Sequence, residues 1–175
     1  MLKVIIVIFI VLPSRCLGQT KFTSSKYNYS FIIPDGWRIK DKIFNPDVDA
    51  KIVDDKGNSF IISIVNFPTS TSLTAPQENK NISNSEFESQ FNAVYGETKI
   101  VKRGSFIIDF KDFFFIHLLT PHKEGKKLYH KQFLYNEGYK VMSIDACSIE
   151  TYINETTPAF AIMLNTLKFN NLKIK

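Results

Sequence analysis

Between Phe113 and Leu119 the chain reads Phe-Phe-Phe-Ile-His-Leu-Leu, seven residues with one polar side chain, His117. Successive side chains of a strand point to opposite faces, so a strand with this sequence must be buried on both. The rest of the chain therefore has to supply a sheet with a covering layer on each side.

The neighbouring segments supply the sheet. Tyr27 to Ile33 alternates, with Tyr27, Tyr29, Phe31 and Ile33 on one face, and Pro34-Asp35-Gly36 turns the chain before Trp37. Lys51–Asp54 and Ser59–Phe67 read as strands around the turn Asp54-Asp55-Lys56-Gly57-Asn58. Ile100–Ile108 predicts one or two strands bent at Gly104, and Leu128–Tyr135 with Tyr139–Ala146 predicts two more around Asn136-Glu137-Gly138. Pro68 to Ser83 is rich in Thr, Ser, Asn and Pro and reads as a long loop.

Two helices are predicted as cover. Ser85 and Glu88 fit a capping box ahead of the stripe Phe87, Phe91, Val94, Tyr95, and Gly96 is a natural stop. Near the end Thr157 caps and Pro158 takes the first helical position, leading the stripe Phe160, Met163, Leu164, Leu167. Runs of antiparallel strands broken by a few helices define an α+β class.

The first eighteen residues have a different character. Lys3 precedes the apolar run Val4–Leu12, and Cys16-Leu17-Gly18 closes it, which is the order of a secretory signal peptide with cleavage after Gly18. About nine apolar residues cannot cross a hydrocarbon core of ~30 Å, so no membrane anchor is expected. A secreted or periplasmic single domain, residues 19–175, is the expected product, and it is expected to be a monomer. Cys16 would leave with the leader; Arg15 before it is a poor fit to lipidation, which wants a small residue there. Cys147 then remains alone, without a disulfide. The chain carries a net charge of +5; removing Lys3 and Arg15 leaves +3, twenty basic against seventeen acidic side chains. The lysines are scattered, which predicts a solvated basic face rather than a nucleic-acid surface.

Catalytic signatures are sparse. There is no Gly-x-Ser-x-Gly elbow and no phosphate-cradling glycine loop. Of His117, His122 and His130, a hairpin centred on Glu124-Gly125 would set Leu119 opposite His130 and Gln132 opposite His117. His117 and His130 would then lie diagonally on one face, within reach of a shared zinc or manganese ion, with Asp109 or Asp112 adding an oxygen. Cys147 with His117 or His130 would make a nucleophile–base pair, the hydrolase alternative. No cofactor is indicated.

Two stretches resemble a known family. Tyr29-Ser30-Phe31-Ile32-Ile33-Pro34-Asp35-Gly36-Trp37 resembles the opening strand and turn of PsbP-like and Mog-like proteins, an aromatic strand ending in Pro-x-Gly-Trp. Phe160 to Phe169 resembles their closing helix and its Ser/Thr-hydrophobic-Lys-Phe tail. The resemblance implies an α/β/α sandwich with a central antiparallel sheet. It also implies a non-enzymatic accessory role; the expected action is on a protein or envelope component, through the sheet edge or the 68–83 segment. Pro34, Gly36 and Trp37 have a structural job in this reading: a fixed turn and a plug at one end of the sheet.

Overall fold

The computed structural model describes residues 20–41, 43–71 and 73–170. The expected leader lies outside them. Among the described residues nine strands make two antiparallel sheets. β1 (Thr20–Thr23), β2 (Tyr29–Ile33) and β9 (Lys168–Phe169) form the smaller, in the order β1-β2-β9. The larger takes β3 (Arg38–Ile39), β4 (Val48–Val53), β5 (Ser59–Thr71), β6 (Lys99–Ile108), β7 (Lys111–Pro121) and β8 (Lys127–Ile149), in the order β3-β4-β5-β8-β7-β6. The helices are α1 (Ala75–Asn79), α2 (Asn84–Tyr95) and α3 (Ile153–Asn165). Among the described residues no helix is long and apolar enough to cross a membrane.

β8 is assigned as one strand, yet His130 Nδ1 lies 3.4 Å from the Asp145 carboxylate, fifteen residues on. A straight strand would separate them by about 50 Å. β8 therefore doubles back around Asn136–Gly138, with Gly138 at φ 62°. Its first arm pairs with β7 and its second with β5. The Asn136 amide fastens this bend to α1, donating to the Leu73 carbonyl and the Glu78 carboxylate at 2.9 Å each.

The two-faced reading of Phe113–Leu119 holds in full on one face and in part on the other, where Phe113 is buried but Phe115, His117 and Leu119 are half-buried. Phe114, Ile116 and Leu118 are buried with Ala75 of α1 and Phe87 of α2. Phe113 faces the other way and joins Tyr29, Phe31, Phe60, Phe160 and Met163 in the larger core. One face of the main sheet thus carries α3 and the small sheet; the other carries α1 and α2. Each fully buried Phe or Ile here contributes about 1.5–3 kcal/mol by leaving water. At the Pro34–Trp37 turn the Trp37 amide donates to the Pro34 carbonyl (3.2 Å), Gly36 takes φ 80°, and the Trp37 ring stands edge-on to Phe160 at 5.4 Å.

Four expectations are corrected. The 68–83 segment is no loop: β5 runs to Thr71, α1 occupies Ala75–Asn79, and only short connections remain. Pro68 is tolerated because the β5–β8 pairing is interrupted between Asn66 and Thr71, where no ladder amide is needed. The capping box of α2 is Ser83 with Glu86, not Ser85 with Glu88. Pro158 lies inside α3, which begins at Ile153 after a 3-10 turn, rather than at its first position. β6, finally, is a single strand whose irregularity falls at Ile100/Lys102, not at Gly104.

Candidate functional site

The β7–β8 hairpin decides what the histidines can do together. Its register sets Leu118 opposite His130, Leu119 opposite Tyr129 and His117 opposite Lys131. This is one residue away from the expected pairing. A one-residue slip reverses the face of every side chain on a strand, so His117 and His130 project to opposite sides of the sheet. The shift arises in the turn, where Glu124 and Gly125 both adopt left-handed conformations (φ 60° and 70°) and the hairpin centres on Glu124. Asp109 and Asp112 sit at the far end of β7. The Asp109 carboxylate is already engaged, accepting from the Phe169 amide at 2.7 Å and from Lys168 at 3.1 Å. Among the described residues no three His, Cys, Asp or Glu side chains converge in a metal-holding arrangement. His122 is exposed beside the hairpin turn, at the rim of a cavity of about 530 Å³ shared with the end of α2.

His130 is buried under α2, its ring 5.6 Å from that of Tyr95. Nε2 lies 3.1 Å from Thr120 Oγ1 and 4.0 Å from Cys147 Sγ, while Nδ1 faces both Asp145 oxygens at 3.4 Å. Burial alone would depress this imidazole; the Asp145 carboxylate and the Cys147 sulfur outweigh it and push the group up to about 10. Cysteine, histidine and aspartate follow one another here in the order of nucleophile, base and orienting acid. The nearest partner of Nε2 is nevertheless the Thr120 hydroxyl, which locks the ring into the sheet. Asp145, which decides the charge of His130, was missed from the sequence because its contact depends on the fold-back of β8.

His117 looks the other way, towards α3. Its Nδ1 is 3.1 Å from the Tyr129 hydroxyl, and it lines a cavity of about 260 Å³ together with side chains of β6, β7, β8 and α3. Burial, then the charges of Lys131 and Lys102, hold it down at about 4, so the ring is neutral at pH 7.

The free edge of the larger sheet is the third feature. β6 has a partner on one side only and presents Val101 and Ile107 to solvent, the latter 70% exposed. At the β6–β7 turn Phe110 is 98% exposed with φ 65°. A left-handed conformation costs a bulky residue about 1–2 kcal/mol, so the backbone is strained at a residue whose ring lies in solvent.

No protein-family profile and no curated protein matches this chain. Solved structures do. The chain superposes on the solution structure of cyanobacterial PsbP (CyanoP) from Synechocystis sp. PCC 6803 with a TM-score of 0.61 at 14% identity, over 86% of this chain and 92% of that one. The chain has the PsbP-like fold. LpqN, involved in cell envelope biogenesis of Mycobacterium tuberculosis, shares it at a TM-score of 0.53 and 12% identity, over 88% and 86% of the two chains. A Bacteroides thetaiotaomicron protein matches at 0.52 and 13%, over 88% of this chain but 49% of its own. The match to CyanoP carries the PsbP-like side of the resemblance. Within that fold the opening turn at Pro34–Trp37 and the closing helix α3 meet each other through Trp37 and Phe160.

Proposed function

We propose that this chain is an exported, non-catalytic accessory protein that binds a protein or other component of the cell envelope along the β6 edge of its central sheet. The observation that carries the reading is the edge itself: ten residues of β6, with Val101, Ile107 and the strained, exposed Phe110 turned to solvent. A folded chain ordinarily blunts such an edge; here Lys99, Lys102 and Arg103 guard one end while the end near Phe110 stays apolar. An extended partner segment would add a strand to β6, its backbone completing the ladder and its apolar side chains covering Ile107. The PsbP-like fold supports an accessory role, and the part LpqN takes in envelope biogenesis supports the envelope as the setting. The leader-like first eighteen residues agree with export.

A photo-crosslinking amino acid at position 107, in the tagged chain expressed in its own cells, tests this. The expected result is one reproducible adduct with an envelope or secreted component, absent when the probe sits at position 39 on the opposite edge and lost with Phe110→Asp. Recovery of the uncrosslinked chain alone, or adducts identical from both edges, would sink the reading.

A further inference from the structure

Lys102, His117 and Lys131 stand side by side in one row across three strands: Lys102 pairs with His117 and His117 with Lys131. The next row on the same face is Gly104, Phe115 and Phe133, so a cationic row lies directly beside an aromatic one. Gly104 leaves room for the Phe115 ring, whose nearest atom would stand 3.0 Å from any Cβ added there. Phe160 and Leu164 of α3 form the opposite wall of the cavity of about 260 Å³ above both rows.

The charges of this row are uncompensated. Like charges flanking one position of a sheet cost stability, and the usual remedy is an acidic neighbour. None lines this cavity, in a chain with seventeen acidic residues. The Lys131 ammonium donates to the Thr157 hydroxyl at 3.0 Å, and that of Lys102 lies 5.6 Å from the centre of the Phe115 ring. Neither joins an ion pair among the described residues. The titratable groups facing His117 are Lys102 from β6 and Tyr129 and Lys131 from β8; α3 brings the Thr157 hydroxyl and apolar side chains.

We propose that this cavity binds a small amphipathic carboxylate, with its acid group between Lys102 and Lys131 and its apolar body on Phe115 and Phe133 against Phe160 and Leu164. Each part of the ligand meets a complementary part of the wall: the acid meets two ammoniums that lack a counter-ion, and the body meets aromatic and aliphatic surface. A water occupies about 30 Å³ of liquid, so the cavity has the volume of about nine waters, suited to a short alkyl or single-ring acid. The site faces α3 and needs no partner protein, so it stands or falls apart from docking at the β6 edge.

Titration of the folded chain with octanoate, octanol and acetate, read from the ring resonances of the histidines, tests it. Octanoate is expected to saturate at least about ten-fold more tightly than octanol, the discrimination expected of a charge-assisted contact. Acetate, with no apolar body, is expected to show no saturation over the same range. Bound octanoate sets one negative charge between the two lysines and offsets part of their field at His117, so its titration midpoint should rise from about 4 while that of His130, across the sheet, stays. Lys131→Gln, with its fold checked in the same spectra, should cost octanoate about ten-fold and leave octanol unchanged. Equal affinity for octanoate and octanol, saturation that leaves His117 unmoved, or no saturation at all would each overturn the proposal, and none of the three needs a variant.

Discussion

In the folded chain burial pulls against the proton on His130, but Asp145 and Cys147 prevail and hold it to about pH 10; an unfolded histidine releases it near 6.5. A folded value above the unfolded one stabilises fully below about pH 6.5, and this contribution is lost as pH climbs from there to about 10. The urea midpoint should therefore fall between pH 7 and 10, and Asp145→Asn should flatten that decline. His117 has the opposite sign. Its folded value of about 4 lies below the unfolded one, so the unfolded chain binds a proton that the folded chain refuses. That stability is present above about pH 6.5 and is lost as pH falls towards 4. His117→Phe should make the acid decline shallower and leave the alkaline one in place. Denaturant curves at five or six pH values would separate the two; an alkaline decline that survives Asp145→Asn unaltered would refute the assignment for His130.

At the scale of the element, α2 shows how closely spaced signals compete. Ser83 and Ser85 both stand three residues before a glutamate. The chain selects Ser83 because Ile82, just before it, packs into the same cluster as Phe87, a hydrophobic staple that the later start would break. Glu88 is thereby released to accept the Ile100 amide at 3.0 Å, tying α2 to β6. Ser83→Ala should cost about 1 kcal/mol in denaturant unfolding, and Ser85→Ala close to nothing; equal losses would show the cap misplaced. The strands, their antiparallel arrangement and the two covering layers were legible from alternation, turn residues and the apolar run at Phe113. The register of the β7–β8 hairpin was not. It hinges on Glu124 adopting a left-handed conformation, which a glutamate does not advertise, and with it went the facing of both histidines and the row Lys102–His117–Lys131. Pro158 misled for a related reason. The helix already runs one turn before the proline, where the hydroxyls of Thr156 and Thr157 bond back to the carbonyls of Tyr152 and Ile153, and the carbonyl that the proline leaves without a donor belongs to exposed Asn154.

At the scale of the molecule, β7 belongs to both cores at once, so neither layer can be loosened alone. Ile116 is fully buried on the α1/α2 side, while Trp37, the one tryptophan, reports the α3 side. Ile116→Ala should cost about 2–5 kcal/mol, and the Trp37 fluorescence midpoint should move by the same amount as the far-ultraviolet circular dichroism. A Trp37 transition left behind would mean the layers unfold separately. The pairings that join the two ends of the chain carry one more consequence. Ser59 of β5 waits for Cys147 of β8, and Tyr29 of β2 waits for Phe169 of β9, the last strand. During synthesis the small sheet cannot close until Phe169, and the large one cannot be completed until Cys147, has left the ribosome. Contacts so distant in sequence form slowly, which leaves a window in which the nascent chain is still a thread, the form in which a polypeptide can be passed through a narrow pore before it folds on the other side.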